Sequence, residues 1–179
     1  MSAGALPHII DFRALAAREA RVEGILAPSH LTRLKASVDG AEAAQVCAQF
    51  SRDEMGRFVV ALSVSMRVMM TCQRCLEPMH LDISSESKVA ALWSDSQANE
   101  LPDTLEPVVT GEETDLWMMV EEEVLLALPA YPLHADIHCA EKLGLGGQEQ
   151  AEHNSAEGEC KKDNPFAALA ALRDAKRGN

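Results

Sequence analysis

The sequence predicts an α+β domain in which an antiparallel β-meander packs against two or three helices and is followed by a flexible C-terminal tail. Apolar residues alternate with polar ones from residue 44 to residue 83, which is typical of strands. They recur every four residues from 116 to 128, which is typical of a helix. Residues 140–163 contain almost no large apolar side chain, which predicts the tail. Barrel-like closure of the meander is the alternative to an open sheet.

Three stretches build the predicted meander. Residues 44–50 alternate between apolar and polar side chains, and the polar loop at 51–56 ends in a glycine, as hairpin loops often do. The return strand, at 58–70, is longer than the usual strand of about five or six residues, so we expect a bend or a bulge within it. After a turn at 72–78, alternation resumes at 79–83 and predicts the third strand.

Shorter elements are predicted on both sides of the meander. Before it, we expect an edge strand at 6–12, a helix at 13–21, a strand at 22–26 and a helix at 28–40. After it, residues 106–110 have the pattern of a short strand.

The most regularly patterned helix begins near Asp115. Thr114 is the expected N-cap, and the carboxylate of Asp115 favours the positive end of the helix dipole. Glu121–Glu123 are expected on the solvent-facing side, and Pro129 ends the helix. The opposite, apolar side is expected to pack against the sheet.

The chain divides into a single α+β domain at residues 1–139, a flexible acidic linker at 140–163 and a short amphipathic helix at 164–179. The apolar stripe of the last helix consists of Phe166, Leu169 and Leu172. A short apolar stripe on a flexible tether is typical of a peptide that docks into a groove of a partner. The alternative is a helix that folds back onto its own domain.

The net charge of −12 is unevenly distributed along the chain. Residues 1–89 hold ten acidic and ten basic side chains, whereas residues 90–160 hold 16 acidic and one basic. Nucleic-acid binding requires clustered cations to neutralise phosphates, so the composition argues against a simple nucleic-acid binder.

Three features of the sequence bear on the compartment. No apolar run has the roughly 18 residues of a membrane span, and no secretory signal is expected at the start of the sequence. The five cysteines are an odd number, which argues against a framework of disulfides and for a reducing compartment. We therefore expect a cytoplasmic protein.

Cys72 and Cys75 form the sharpest local motif, a Cys-x-x-Cys turn between two predicted strands. Two thiolates at this spacing can hold one side of a tetrahedral zinc ion, and Cys139 with His134 or His138 can supply the rest. The candidate metal ligands are Cys72, Cys75, His134 and Cys139, and the expected cofactor is either none or this zinc ion. Free thiols are the alternative. A redox pair is less favoured, because redox motifs of this type begin a helix and here a strand follows.

No motif of a known catalytic site is present, neither a phosphate-binding loop nor a nucleophile elbow nor a zinc-protease signature, so we expect no enzymatic activity and no small-molecule substrate.

The candidate RNA or partner contacts in the first half are Arg67, Arg74 and Lys88, which can form a positive strip near the Cys turn. Scattered solubilising charges are the alternative. Aromatic residues are nearly absent from this region, which argues against recognition of single-stranded RNA by stacking.

Three segments carry a resemblance to known proteins: Met70-Thr-Cys-Gln-Arg-Cys-Leu-Glu-Pro78, the stretch from Asp115 to His134, and Asn164-Pro-Phe-Ala-Ala-Leu-Ala170. In this order they resemble the bacterial YceD family of large ribosomal RNA subunit accumulation proteins. The resemblance implies a factor for the synthesis, processing or stability of 23S rRNA and gives no catalytic residues to carry over. It implies that 23S rRNA or its precursor is the partner, bound directly or through a ribosome-assembly protein.

One segment departs from the family pattern. Many relatives have Cys pairs after the Leu-Pro-x-x-Pro-Leu segment that look like a complete zinc site, whereas this sequence has Gly144-Leu-Gly-Gly147 there. The resemblance therefore implies a reduced or lost metal site. The acidic residues of 90–160 lead to the alternative function, an acidic adaptor that binds a basic ribosomal or RNA-processing protein and carries a vestigial or small structural zinc site.

Overall fold

The structure, a computed structural model, describes residues 4–143. The strands are β1 Ile9–Ile10, β2 Arg21–Leu26, β3 Gly40–Ala41, β4 Ala44–Arg52, β5 Phe58–Thr71, β6 Pro78–Leu92, β7 Glu106–Val109 and β8 Thr114–Asp115. The α-helices are α1 Phe12–Ala17 and α2 Leu116–Ala127. Short 3-10 helices occupy Pro28–His30, Leu34–Ala36, Asp95–Glu100 and Cys139–Leu143. The last of these begins the predicted linker, and the remainder of that linker and the predicted helix at 164–179 lie outside the described residues.

Six of the strands form one mixed sheet in the order β2-β4-β5-β6-β7, with β3 pairing to β5 beyond the end of β4. The predicted antiparallel meander is confirmed as β4, β5 and β6, and β7 joins its edge in parallel to β6. The sheet is open, so the barrel-like alternative is not what the chain adopts.

The long strand β5 runs without the bulge that its length predicts. Its pairing with β6 is in unbroken register from Val59 opposite Ala90 to Thr71 opposite Pro78. On its other side β5 pairs first with β4 and then with β3, so two shorter strands share its length. Because β4 and β3 together pair along this edge, β5 has hydrogen-bonded neighbours on both sides for most of its 14 residues.

One face of the sheet is covered by both helices and holds the main core. Phe12 of α1 meets Phe50 of β4 edge to face, with ring centroids 5.2 Å apart, and both side chains are fully buried. Val120 and Val124 of α2 belong to the same core cluster. Along β5 the buried residues alternate with exposed ones, as the sequence predicts. The exposed positions form the open face of the sheet.

The predicted helix at 28–40 is wrong, since two 3-10 turns take its place. The backbone N–H groups of Arg33 and Leu34 donate to the carboxylate of Glu121, at 2.7 and 3.1 Å. They are therefore not used in the hydrogen bonds to the carbonyl four residues earlier that an α-helix requires. The apolar periodicity that suggested the helix is nevertheless real, because Leu31 and Leu34 are fully buried.

Helix α2 matches its predicted position but differs in two details. Its N-cap is Asp115, which accepts from the N–H of Met118 at 2.9 Å, and not Thr114. The expectation that Glu121 and Glu123 face solvent is wrong, because both are buried. Glu121 caps the turn described above, and Glu123 accepts hydrogen bonds from two inward-facing serine hydroxyls of β6, at 2.7 and 2.6 Å. Each buried carboxylate therefore has hydrogen-bond donors, as burial of a charge requires.

The N-terminal segment joins two parts of the domain. Within the predicted edge strand at 6–12, only Ile9–Ile10 is a strand, and it pairs antiparallel with β8. Just before it, the N–H of Leu6 donates to the carbonyl of Ile25 at 3.1 Å, so the segment also lies along β2. Helix α1 is shorter than predicted and is capped by Asp11, which accepts from the N–H of Ala14 at 2.8 Å. Among the described residues, no helix has the length and apolar character needed to cross a membrane.

Candidate metal centre and partner-contact residues

The Cys turn lies between β5 and β6, as predicted. The N–H of Cys72 donates to the carbonyl of Glu77 at 2.9 Å, and the N–H of Leu76 donates to the carbonyl of Cys72 at 2.8 Å. Leu76 adopts a left-handed conformation with φ of 60°, which is uncommon for a residue with a side chain and closes the turn tightly. This geometry directs both sulfur atoms to the same side of the turn.

The segment after α2, residues 129–143, crosses the Cys turn; we call it the strap. Two hydrogen bonds fasten it there, from the N–H of Gln73 to the carbonyl of Pro132 at 2.9 Å and from Arg74 Nη1 to the carbonyl of Asp136 at 3.0 Å. The strap thereby brings two further potential ligands, one histidine and one cysteine, to the Cys pair.

The four candidate ligands meet in one cluster. The ligand atoms of Cys72, Cys75, His134 and Cys139 all lie within 4.8 Å of one another. The three cysteines are buried and His134 is half-buried, with its Nδ1 3.2 Å from Cys75 Sγ. Sulfur atoms bound to one zinc ion at tetrahedral geometry are about 3.8 Å apart, so a contraction of less than about 1 Å would fit these atoms to zinc.

Of the two histidines that the sequence left open, the structure brings only His134 into the cluster. His138 is exposed, and its Nδ1 lies 2.6 Å from a carboxylate oxygen of Glu141 in the same 3-10 turn. The sequence motif could not separate the two, because both lie close to Cys139 along the chain.

Backbone donors favour a thiolate at Cys72. Its sulfur accepts from the N–H groups of Arg74 and His134, both at 3.4 Å. Burial opposes ionisation, but these N–H groups and that of Cys75 outweigh it and lower the pKa of Cys72 to about 6. Burial and the neighbouring cysteines instead raise the pKa of Cys139, against the influence of Arg74, whose Nη1 lies 3.8 Å from its sulfur.

The donor set is that of a closed structural site. Three thiols and one imidazole are ligands that zinc prefers, and four protein ligands leave no open position for a substrate or a water molecule. A divalent cation would also offset the electrostatic repulsion between neighbouring thiolates in a buried cluster. The residues therefore fit a zinc ion that connects the strap to the Cys turn.

The three predicted basic contacts are not brought together. Arg67 forms a two-point ion pair with Asp82, at 2.7 and 3.2 Å, and Arg74 is engaged by the strap. Lys88 lies opposite Ala61 on the open face of the sheet, six residues along β5 from Arg67, which is roughly 20 Å. The other predicted contacts, Phe166, Leu169 and Leu172, lie outside the described residues.

A contact that the sequence did not reveal joins Arg13 and Trp93. The guanidinium carbon of Arg13 lies 3.2 Å from the centroid of the Trp93 ring, which is itself exposed. The two residues are 80 positions apart, and no local pattern connects them.

Comparison with known proteins decides the family. A family model described as "Large ribosomal RNA subunit accumulation protein YceD" matches residues 60–173, which is more than half of the sequence. The chain belongs to the YceD family. A YceD protein of Haemophilus influenzae, "Large ribosomal RNA subunit accumulation protein YceD", is 36% identical over 171 residues, which cover 94% of this chain and 96% of the relative. No solved structure matches. All four ligands of the Cys/His cluster lie inside the region that matches the YceD family model.

Proposed function

We propose that this YceD-family chain is a non-enzymatic cytoplasmic factor that supports the synthesis, processing or stability of 23S rRNA during assembly of the large ribosomal subunit. The observation that carries the proposal is the match, over 94% of the chain, to a relative named for accumulation of large-subunit ribosomal RNA. The 36% identity over almost the whole length of both chains is what supports a shared role.

In this proposal the Cys/His cluster binds one structural zinc ion. The closed Cys₃His donor set supports zinc, and the ion would supply a rigid cross-link and no chemistry on a substrate. Cys72 and Cys75 would hold it from the sheet, and His134 and Cys139 from the strap. The cross-link fixes the surface that the strap presents to a partner.

A second function, that of an acidic adaptor, is favoured by the surface around this cluster. Four large apolar side chains there are exposed: Leu76, Tyr131, Leu133 and Ile137. The first lies on the Cys turn and the others on the strap, within the acidic half of the sequence. Exposed apolar side chains of this kind are typical of a protein interface, and the acidic excess of residues 90–160 favours a basic protein as the partner. In this reading the effect on 23S rRNA is exerted through a ribosomal or RNA-processing protein.

Deletion and complementation test the proposed function. Loss of the gene should lower the ratio of large-subunit to small-subunit rRNA, measured on total RNA from cells in rapid and in slow growth. The wild-type chain and Cys47→Ser, whose thiol lies outside the cluster, should restore the ratio. Cys72→Ser and Cys139→Ser should restore it less well. An unchanged ratio in the deletion strain at both growth rates would contradict the proposal.

Crosslinking in cells separates the direct role from the adaptor role. Ultraviolet crosslinking of the tagged full-length chain should recover 23S rRNA or its precursor if the contact is direct. If the chain is an adaptor, a chemical crosslinker should recover a basic protein, and a double variant of Tyr131 and Ile137 to Ala should lose it.

A further inference from the structure

Trp93 is an exposed aromatic ring held in a fixed position. It follows directly after β6 and remains 65% exposed. The guanidinium carbon of Arg13 lies over the ring, 3.2 Å from its centroid, and the guanidinium donates to the carbonyls of Leu92, Thr110 and Gly111 at 3.3, 3.3 and 3.1 Å. Because Arg13 covers one ring face and the residue is still mostly exposed, the other face is open to solvent. Arg13 thus supports the ring on one side and leaves most of the residue exposed.

Further arginines and a second aromatic ring adjoin this open ring. A cleft of about 360 Å³, larger than a single nucleobase, is lined by Trp93, Phe58, Arg57 and Met55. The guanidinium carbon of Arg52 lies 4.7 Å from the Phe58 ring centroid. All three arginine–aromatic contacts found among residues 4–143 lie in this one region of the surface.

We propose that Trp93 stacks an unpaired base of single-stranded RNA, with Arg52 and Arg57 beside it as phosphate contacts. The inference rests on the proposed function and deepens it, because it names the surface that touches RNA directly. Stacking on aromatic rings next to arginines is the chemistry by which proteins bind single strands without sequence preference.

The charge balance of this surface determines how it binds. Asp53 forms an ion pair with Arg57 at 2.5 Å, Glu54 lies on the same loop, and Asp95 follows Trp93 closely in the chain. With acidic groups so close to the arginines, phosphate neutralisation contributes little and base stacking carries the affinity. Binding should therefore depend only weakly on salt, with a slope of about −1 to −2 in log K against log salt, and should favour single strands over duplex.

The fixed ring favours RNA over a protein partner. Arg13 holds the indole before any ligand arrives, so little side-chain entropy is lost on stacking. An exposed apolar anchor of a protein interface would be expected among further exposed apolar side chains, as at the strap. The cleft beside Trp93 is lined by Phe58, Arg57 and Gln97 together with four aliphatic side chains, Met55, Ala91, Leu92 and Leu101. Of these four only Met55 is exposed, so the exposed apolar surface next to the ring is small.

The test uses the full-length chain and a fluorescent 12-nucleotide oligoadenylate. Trp93→Ala should weaken binding roughly 5- to 100-fold, and Trp93→Phe, which retains a stacking ring, should restore most of it. Tyr131→Ala removes an exposed aromatic ring from the strap and is the matched control, with unchanged binding expected. In a Trp117→Phe variant, Trp93 is the remaining tryptophan, and its fluorescence should be quenched by unlabelled oligoadenylate.

Three results would overturn the inference: equal binding by Trp93→Ala and wild type, loss of binding in Tyr131→Ala instead, or equal affinity for a duplex of the same length. A photocrosslinker placed at position 93 should capture RNA in cells, and capture of a protein alone would also overturn it. The deletion strain distinguishes this inference from the proposed function. If Trp93→Ala restores the rRNA ratio fully and an empty plasmid does not, the proposed function stands and the stacking surface is wrong.

Discussion

The carboxylate of Glu121 accepts a 2.7 Å hydrogen bond from the backbone N–H of Arg33, 88 residues earlier in the chain. The same oxygen accepts from the N–H of Leu34 at 3.1 Å. A buried glutamate on α2 therefore acts as the cap of a turn that is remote in sequence. The contact ties the connection between β2 and β3 to the helix that covers the sheet.

Replacing Glu121 by Ala should destabilise the domain by about 2–4 kcal/mol, because two backbone donors of the turn lose their acceptor. Urea unfolding of the two proteins measures the difference. Glu122→Ala is the matched control, since that side chain is exposed and forms only a 3.3 Å ion pair with Arg33. Its expected cost is below about 1 kcal/mol, and equal losses in both variants would contradict the assigned role of Glu121.

Removal of metal should loosen the strap. If one zinc ion joins the strap to the Cys turn, Cys72→Ser or a strong chelator should lower the melting temperature by several degrees and expose residues 129–143 to proteolysis. Elemental analysis should find one zinc per wild-type chain and per Cys47→Ser chain, and clearly less in Cys72→Ser. Purified protein without zinc, with a strap that chelators leave unaffected, would show that the cluster is a set of free thiols.

Gly24→Ala should be costly although the backbone of Gly24 is ordinary β-strand. A Cβ atom at this position would lie 2.8 Å from the Cα and the N of Leu6, so the N-terminal segment would have to move off β2. We expect a loss of about 1–3 kcal/mol in the free energy of unfolding. Gly111→Ala is the control, because a Cβ there meets nothing within 4 Å. Similar stability of the two variants would mean that the segment shifts freely.

Asp53 should stabilise the β4–β5 hairpin in a pH-dependent way. Its carboxylate accepts from the N–H groups of Met55 and Arg57, at 2.9 and 2.8 Å. Burial raises the pKa of Asp53, but these bonds and the Arg57 guanidinium outweigh it and hold the pKa below its ordinary value of 3.8. The ionised form is therefore favoured by folding, and its contribution is present at neutral pH and lost as the pH falls through the lowered pKa.

Asp53→Asn should accordingly cost about 1 kcal/mol at pH 7, and the cost should shrink below pH 4. Urea unfolding at a series of pH values measures it. Glu54→Gln, an exposed side chain on the same loop, should show little effect at any pH. A cost for Asp53→Asn that stays constant down to pH 3 would point to lost packing and not to lost charge.

The elements that sequence predicts correctly are those in which burial and local pattern agree. Alternation along residues 44–83 indicates the meander, because each strand has one buried face and one open face. The four-residue period of α2 likewise follows from its packing on the sheet. In the Cys turn, the spacing of Cys72 and Cys75 between two strands was enough to place the two sulfurs near one another.

The features that sequence misses depend on partners far away in the chain. Three consecutive glutamates indicate a solvent-facing surface, and only the fold shows that Glu121 and Glu123 are buried against donors from other elements. Glu121 also accepts from the backbone of Arg33 and Leu34, in the stretch where two turns stand in place of the predicted helix at 28–40. Trp93 and Arg13 meet because β6 ends beside α1, which no local pattern encodes. Contacts between residues far apart in the chain therefore account for each of these cases.

The strand order also determines what the nascent chain exposes during translation. The hairpin of β5 and β6 can form once residue 92 has left the ribosome, but α2, which covers part of its apolar face, is complete only at residue 127. Strand β1 stays unpaired for longer, because its partner β8 is synthesised more than 100 residues after it. While residues 93–127 are being synthesised, the growing chain carries a partly uncovered sheet face rich in valine and leucine. This interval is when the protein is most prone to aggregate and when a chaperone at the exit tunnel would protect it most.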